Sequence, residues 1–355
     1  MKTRLAFTLV EILTVVVIIG ILAAIVTVAV AAAMGAAKRA RIATEMGHIS
    51  MAIERYKAEI DEYPPDFYDD DAIVRHVKKR WPRFELPQGD NYTVAASLRR
   101  AMVFVYRNPN VYPPAVLTEW TGTSDTTNFT LSTPGTEVSS LAIWLGGFAN
   151  PEGRFEGFSA DPEAPFGRDA AGIINRGEVG IDLGTLRIGT PDKTKVFAEL
   201  EVNKNVFFFN AGGNAPALCL GTRSGSTILP IIYFRGNLSG GPGAYYDFRN
   251  PQPQIKSYNF GANVSVTGKA PGSTWSECGN VVPYARSGTY NADLANSTVI
   301  WNNPTTYQLL HPGLDGKFGE EVGIRVINSG TGIGALDLDN ITNFSDHKEI
   351  KSILP

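Results

Sequence analysis

Residues 7–34 read FTLVEILTVVVIIGILAAIVTVAVAAAM, and this stretch decides the architecture of the chain. Its one charge is Glu11, near its start. From Ile12 to Gly35 the only polar side chains are Thr14 and Thr27. A helix rises about 1.5 Å per residue, so about 20 apolar residues cross a bilayer core, and this run is long enough. Ahead of it lies a short basic leader, Met1-Lys2-Thr3-Arg4-Leu5-Ala6. Cations on one side of an apolar span place that side in the cytoplasm.

Three readings of this segment compete. A secretory signal peptide has a shorter apolar region, and here a carboxylate sits where that region should begin. Its cleavage site would fall near Ala31-Ala32-Ala33. A plain membrane anchor accounts for Lys2 and Arg4 but not for Glu11, since a carboxylate costs about 2.5–3.5 kcal/mol at mid-bilayer. The third reading accounts for both. Ala6-Phe7-Thr8-Leu9-Val10-Glu11-Ile12-Leu13, followed by Ile18-Ile19-Gly20-Ile21-Leu22-Ala23-Ala24-Ile25, resembles the class III signal of type IV pilins and type II secretion pseudopilins. The resemblance implies a cut by prepilin peptidase between Ala6 and Phe7, N-methylation of Phe7, and Glu11 as the fifth residue of the mature chain. The family usually carries Gly before the cut, where this chain has Ala6, the next smallest residue. The close resemblance ends at about Gly35.

Physical chemistry gives that arrangement a use. A free amine on Phe7 and the Glu11 carboxylate are each costly alone in hydrocarbon and offset one another when paired. In a helical filament the amine of one subunit meets Glu11 of its neighbour, which makes Glu11 a register device. The resemblance further implies other pilin or pseudopilin subunits and an assembly platform as partners. It implies a single pass through the inner membrane with a cytoplasmic N-terminus and a periplasmic head, and the cell surface as destination if a pilus forms.

The helix continues past the membrane. No Pro lies between Phe7 and Tyr63. Ile42, Met46, Ile49, Ile53, Tyr56 and Ile60 recur at steps of four and three, which traces one stripe on a helix. Tyr63-Pro64-Pro65 ends it. The first half is apolar all round and suits a membrane or filament core; the second half has one face to lay on a sheet. Lys38, Arg39 and Arg41 follow the apolar run and are expected to be solvated.

Beyond residue 62 an acidic run (Asp61–Asp71) meets a basic one (Arg75–Arg83), expected to neutralise one another on a solvated surface. Val94–Tyr106 has helical spacing, and Ser139–Leu145 reads as a short helix closed by Gly146-Gly147. Strand signals follow at Val196–Val202, Val206–Phe209, Ile228–Phe234, Gln254–Phe260, Asn263–Val266, Val299–Trp301 and Thr306–Leu310. Helices first and strands later predict an α+β class, the long helix packed on a largely antiparallel head.

Two cysteines, Cys219 and Cys278, exclude a disulfide-dense scaffold. In an oxidising compartment they form either one disulfide or two buried thiols. Near the C-terminus, Gly313-Leu314-Asp315-Gly316-Lys317-Phe318-Gly319 precedes Asp337-Leu338-Asp339-Asn340-Ile341-Thr342-Asn343. These pieces resemble the closing segment of major type II pseudopilins, which binds calcium. Carried over, Asp315, Asp337, Asp339 and Asn340 become the oxygen donors for Ca2+. The alternative is a turn in which Asp and Asn bond their own backbone.

Enzyme motifs are absent, and no catalytic residue or obligatory cofactor is expected. A net charge of −3 excludes a generic nucleic-acid binder. With 43% hydrophobic residues the chain can bury a core. The expected organisation is a leader (1–6), a membrane or filament-core helix (7–35), its amphipathic continuation (36–62) and a periplasmic or extracellular head (63–355). The head is large, which favours a minor filament subunit. The rival reading is a membrane-tethered extracytoplasmic binding protein or enzyme on a pilin-like anchor.

Overall fold

The computed structural model describes residues 9–105, 112, 115–116, 136–168, 187–211, 216–224, 227–237, 240–247, 254–260, 264–266, 278–291, 296–319 and 323–355. Helix α1 (Leu9–Ile60) is continuous over 52 residues, about 78 Å long at the usual rise. Its C-terminal half buries the stripe that the spacing predicts. Ile42, Met46, Ile53 and Tyr56 are buried, and Ile49 and Ile60 pack beside them. The helix stops where Asp61 turns into the left-handed region (φ 60°), its N–H reaching Lys57 O at 2.7 Å.

Helix α2 (Asp70–Arg80) was not evident from composition, because its sequence reads as opposed charge runs. Those runs are its caps. Asp69 accepts from Ala72 N (2.9 Å), acids fill the first turn, and Lys78, Lys79 and Arg80 fill the last, each sign at the favourable end of the helix dipole. Helix α3 (Asn91–Phe104) is tied to α2 by the Arg99–Asp70 ion pair at 2.5 Å. Helix α4 (Thr136–Gly146) ends at Gly147 (φ 72°), as the paired glycines predict. A Cβ at Gly147 would lie 2.1 Å from the backbone carbon of Gly157, so only glycine fits.

Fourteen strands follow among the described residues: β1 (Val206–Ala211), β2 (Pro216–Ser224), β3 (Thr227–Pro230), β4 (Ile232–Arg235), β5 (Tyr246–Asp247), β6 (Gln254–Ile255), β7 (Tyr258–Phe260), β8 (Val264–Val266), β9 (Gly279–Val281), β10 (Tyr284–Ser287), β11 (Ile300–Trp301), β12 (Tyr307–His311), β13 (Arg325–Val326) and β14 (Ile341–Thr342). They form small sheets in the orders β3-β2-β1-β8, β11-β10-β13, β14-β12-β4, β5-β6 and β7-β9. Every pairing is antiparallel except β10 with β13. The molecule is α+β.

Three strand expectations are corrected. Gln254–Phe260 is two strands, β6 paired with β5 and β7 paired with β9. Val196–Val202 is not a strand; Lys193–Lys195 is a short 3-10 turn, and beyond it only single bridges form. The run Ile228–Phe234 is two strands, not one. It breaks at Ile231, so that β3 pairs with β2 while β4 pairs with β12.

Strands β1 and β2 divide the interior. Val206, Phe208, Leu218 and Leu220 face one apolar cluster with the α1 stripe and the helices; Phe207, Phe209 and Cys219 face a second with the later strands. This is the period-two alternation of a sheet buried on both faces. Trp144 sits centrally in the first cluster, with Phe67, His76, Trp81 and Phe158 around it.

Where α1 gives way to the head, the acidic and basic runs do meet, through Lys79–Asp61 and Arg75–Glu62, but Glu62 and Asp66 are buried rather than solvated, a further correction. Glu62 Oε1 accepts from Arg235 Nη2 (2.7 Å) and Arg75 Nη2 (2.9 Å). Asp66 Oδ2 accepts from Lys256 Nζ (2.7 Å) and Arg235 N (2.8 Å). Burial alone would raise the Glu62 carboxyl; the bonds from His76, Arg235 and Arg75 outweigh it and hold it well below the usual carboxylate range. A relay leads into this knot: Arg80 Nη1 donates to the Tyr56 hydroxyl (2.9 Å), Tyr56 to His76 Nε2 (2.5 Å), and His76 Nδ1 faces Glu62 Oε2 (3.3 Å).

Burial pushes His76 down to about 4, against the pull of Glu62. The unfolded imidazole titrates near 6.5, so below that pH the unfolded chain binds a proton that the folded chain refuses. Stability should therefore fall as pH drops from about 6.5 to about 4. Melting temperatures of the detergent-solubilised chain should show the decline, and His76→Gln should make it shallower, the remainder coming from His311, which burial pushes down to about 3. Arg235→Ala removes the buried guanidinium that answers Glu62, leaves Asp66 its bonds from Lys256 and the residue 235 backbone N–H, and should cost about 3 kcal/mol by chemical denaturation.

Candidate functional site

The N-terminal half of α1 is the first candidate surface. From Leu9 to Met34 every large apolar side chain is half or more exposed, from 50% at Val15 to 81% at Leu9. Both hydroxyls in this run are turned inward on the helix. Thr14 donates to Val10 O (3.0 Å) and Thr27 to Ala23 O (2.8 Å), so neither needs water. Glu11 lies in this exposed stretch, within the first turn. Ala6 and Phe7 lie outside the described residues. Leu9–Ile60 is a helix long and apolar enough, by length and composition, to cross a membrane.

The cations that follow are partly engaged. Arg41 pairs with Glu45 one turn on (2.8 Å), while Arg39 reaches Glu349 at 2.6 Å. Ser50 Oγ meets His347 Nε2 at 3.2 Å. The end of the chain is thus strapped onto α1, across a turn in which Asp346 and His347 both adopt positive φ. On another face of α1, a groove of about 550 Å³ runs between the helix and the head. Ile49, Ala52, Phe197 and Ile231 supply apolar lining; Arg55 and Lys204 are among its charged residues.

The four donors expected for calcium separate into two pairs. Asp339 Oδ2 accepts from Leu314 N (2.7 Å) and Asp315 N (3.0 Å), while Asp315 Oδ1 accepts from Lys317 N (2.8 Å). This is the backbone-bonded turn that the glycines of 313–319 allow; Gly313 and Gly316 have φ of 65° and 78°. Burial, then the neighbouring Asp339, raises the Asp315 carboxyl to about 6, against the Lys317 N–H. Asp337 and Asn340 form the other pair, with Asn340 Nδ2 3.3 Å from Asp337 Oδ1. Asp337 has a cation of its own: Arg325 Nε lies 2.7 Å from Oδ1. The four do not form one oxygen cage, and among the described residues no three His, Cys, Asp or Glu side chains gather in a way that could hold a metal. Sequence reading missed Arg325, because nothing near it in the chain marks it as a partner for Asp337.

Cys219, on β2, and Cys278, beside β9, are both buried free thiols in the second apolar cluster, so of the two readings the structure carries the unlinked one. Burial pushes the Cys219 thiol well up, as befits a small apolar filler rather than a nucleophile.

Among known proteins, no family model, curated sequence or solved structure matches this chain.

The raised Asp315 gives a signed prediction. Its carboxylate is disfavoured in the fold, so stability from this group rises as pH falls from about 6 to about 3.8, opposite to His76. Asp315→Asn keeps the acceptor for Lys317 N and removes the charge. It should raise the melting temperature at pH 7.5 and leave it nearly unchanged at pH 4.

Proposed function

We propose that this chain is a structural subunit, of the minor kind, in a type IV pilus or type II secretion pseudopilus. Prepilin peptidase cuts it between Ala6 and Phe7, Phe7 is methylated, and the mature chain stands in the inner membrane before joining a helical filament. What carries the reading is the division of α1: one unbroken helix, exposed and apolar over Leu9–Met34, then buried along a single stripe in the head. Apolar surface on that scale needs hydrocarbon or other apolar helices around it. A bilayer supplies the first and a bundle of copies the second.

Glu11 favours the filament over a simple anchor. A carboxylate at this depth is a liability to an anchor, whereas a filament gives it the neighbour's amine. A membrane-tethered binding protein is the second reading, and the groove beside α1 is the feature that favours it.

Intact-mass measurement of membrane-extracted protein, expressed with a prepilin peptidase, should give a chain beginning at N-methyl-Phe7. A chain beginning at Met1, or cut near Ala33, would sink the filament reading. Glu11→Ala should lower incorporation into sheared filaments at least about tenfold, since losing an ion-pair partner in hydrocarbon exceeds the 1.4 kcal/mol of one decade. Cleavage and the melting of the head should be unchanged. Incorporation at the level of the parent chain would leave Glu11 without a role in assembly.

A further inference from the structure

We propose that the Arg325 guanidinium is a built-in cation that closes the C-terminal part of the head, so that this region is ordered without a divalent metal. This goes beyond the filament reading and does not depend on it.

Arg325 opens β13, and its side chain is 1% exposed. Its Nε stands 2.7 Å from Asp337 Oδ1, and its Nη2 donates to Asn280 O on β9 at 2.9 Å. The guanidinium carbon lies 5.8 Å from the centre of the Tyr284 ring on β10. Three stretches distant in sequence therefore meet at one positive group: the β9–β10 region, the turn 313–319, and the segment 337–340. The turn joins through Gly319, at φ 107°. A Cβ there would stand 2.7 Å from Arg325 Nη2 and 2.8 Å from Asp337 Oδ2, so the turn backbone lies directly against the ion pair.

The chemistry of the donors selects guanidinium over a metal. A calcium ion takes six to eight oxygens, with lone pairs free to face it. Asp337 is already engaged on both oxygens: Oδ1 accepts from the Tyr284 hydroxyl (2.9 Å) and Asn340 Nδ2 (3.3 Å), Oδ2 accepts from Gly334 N (2.9 Å), and the Arg325 guanidinium lies against Oδ1 as an ion pair. A carboxylate offers about four acceptor sites. Asn340 turns its amide nitrogen, not its oxygen, toward this group, donating to the Tyr284 hydroxyl at 2.8 Å as well. A ring of N–H and O–H donors around a carboxylate suits a guanidinium counter-ion and repels a bare cation. The guanidinium thus makes the tie between segments that a bound ion makes elsewhere.

The test uses the full chain in detergent, melted by circular dichroism in chelator and in millimolar calcium chloride. The parent chain should melt at the same temperature in both. Arg325→Ala should lower that temperature by about 5 °C or more, because it strands the buried Asp337. Adding guanidinium chloride at a few tens of millimolar should restore part of the loss, while leaving the parent chain unmoved. Should Arg325→Ala fail to fold, Arg325→Lys keeps the charge and loses the fork, and it should melt lower than the parent and remain indifferent to calcium. A parent chain whose melting rises by several degrees in calcium overturns the proposal. So does an Arg325→Ala chain that melts with the parent, or an Arg325→Lys chain that does.

Discussion

The junction at residues 62–66 places two carboxylates inside the protein and answers them with cations from far along the chain. Glu62 meets Arg235, and Asp66 meets Lys256, whose ammonium also donates to Arg235 O at 2.7 Å. Tyr233 adds a hydroxyl bond to Pro64 O at 2.8 Å. Strand β4 is thereby bolted to the segment that leaves α1, and through β12 and β14 the last sheet is referred to the same point. Buried charges of this kind contribute less to net stability than apolar groups of equal volume would. Their effect is on geometry. An Arg or Lys held by a desolvated carboxylate has one place to be, and so does the strand that carries it.

Around that junction the two apolar clusters take up separate tasks. The first joins α1 to α2, α3 and α4 through aromatic contacts, with Arg80 lying over Tyr56, Trp81 and Phe158 at 4.7–5.2 Å from their centres. The second holds the short strands of the C-terminal half, many only two or three residues long. Strands that short bring little cooperativity of their own. Side-chain bonds do the joining, as where Gln308 receives Tyr284 N at 2.7 Å and donates back to Tyr284 O.

What could be read from the chain follows from how local the signal is. The α1 stripe depends on steps of three and four within one helix, and the residues so chosen are those that pack into the head. The glycine stop after α4 is equally local. The fate of Glu62 and Asp66 is not, since Arg235 and Lys256, the buried cations that hold them, lie some 170 to 190 residues away and nothing in an acidic run distinguishes a buried carboxylate from a solvated one. Strand β2 escaped because Pro216 opens it and Gly221 interrupts its apolar pattern. The split of Ile228–Phe234 is marked by Pro230, which has no N–H to give to a ladder. At the C-terminus the spacing of acids suggested one cage. The actual arrangement depends on Arg325, whose relation to Asp337 exists only once β13 lies beside β10.

The strap between the end of the chain and α1 has a mechanical meaning. Glu349 holds Arg39 and His347 holds Ser50, while Glu62 anchors the far end of the same helix. A pull along α1 is therefore shared between two attachments, one low on the helix and one at its tip. The lower one is made by His347 and Glu349, so residues from opposite ends of the sequence share a load that enters through the apolar half of α1.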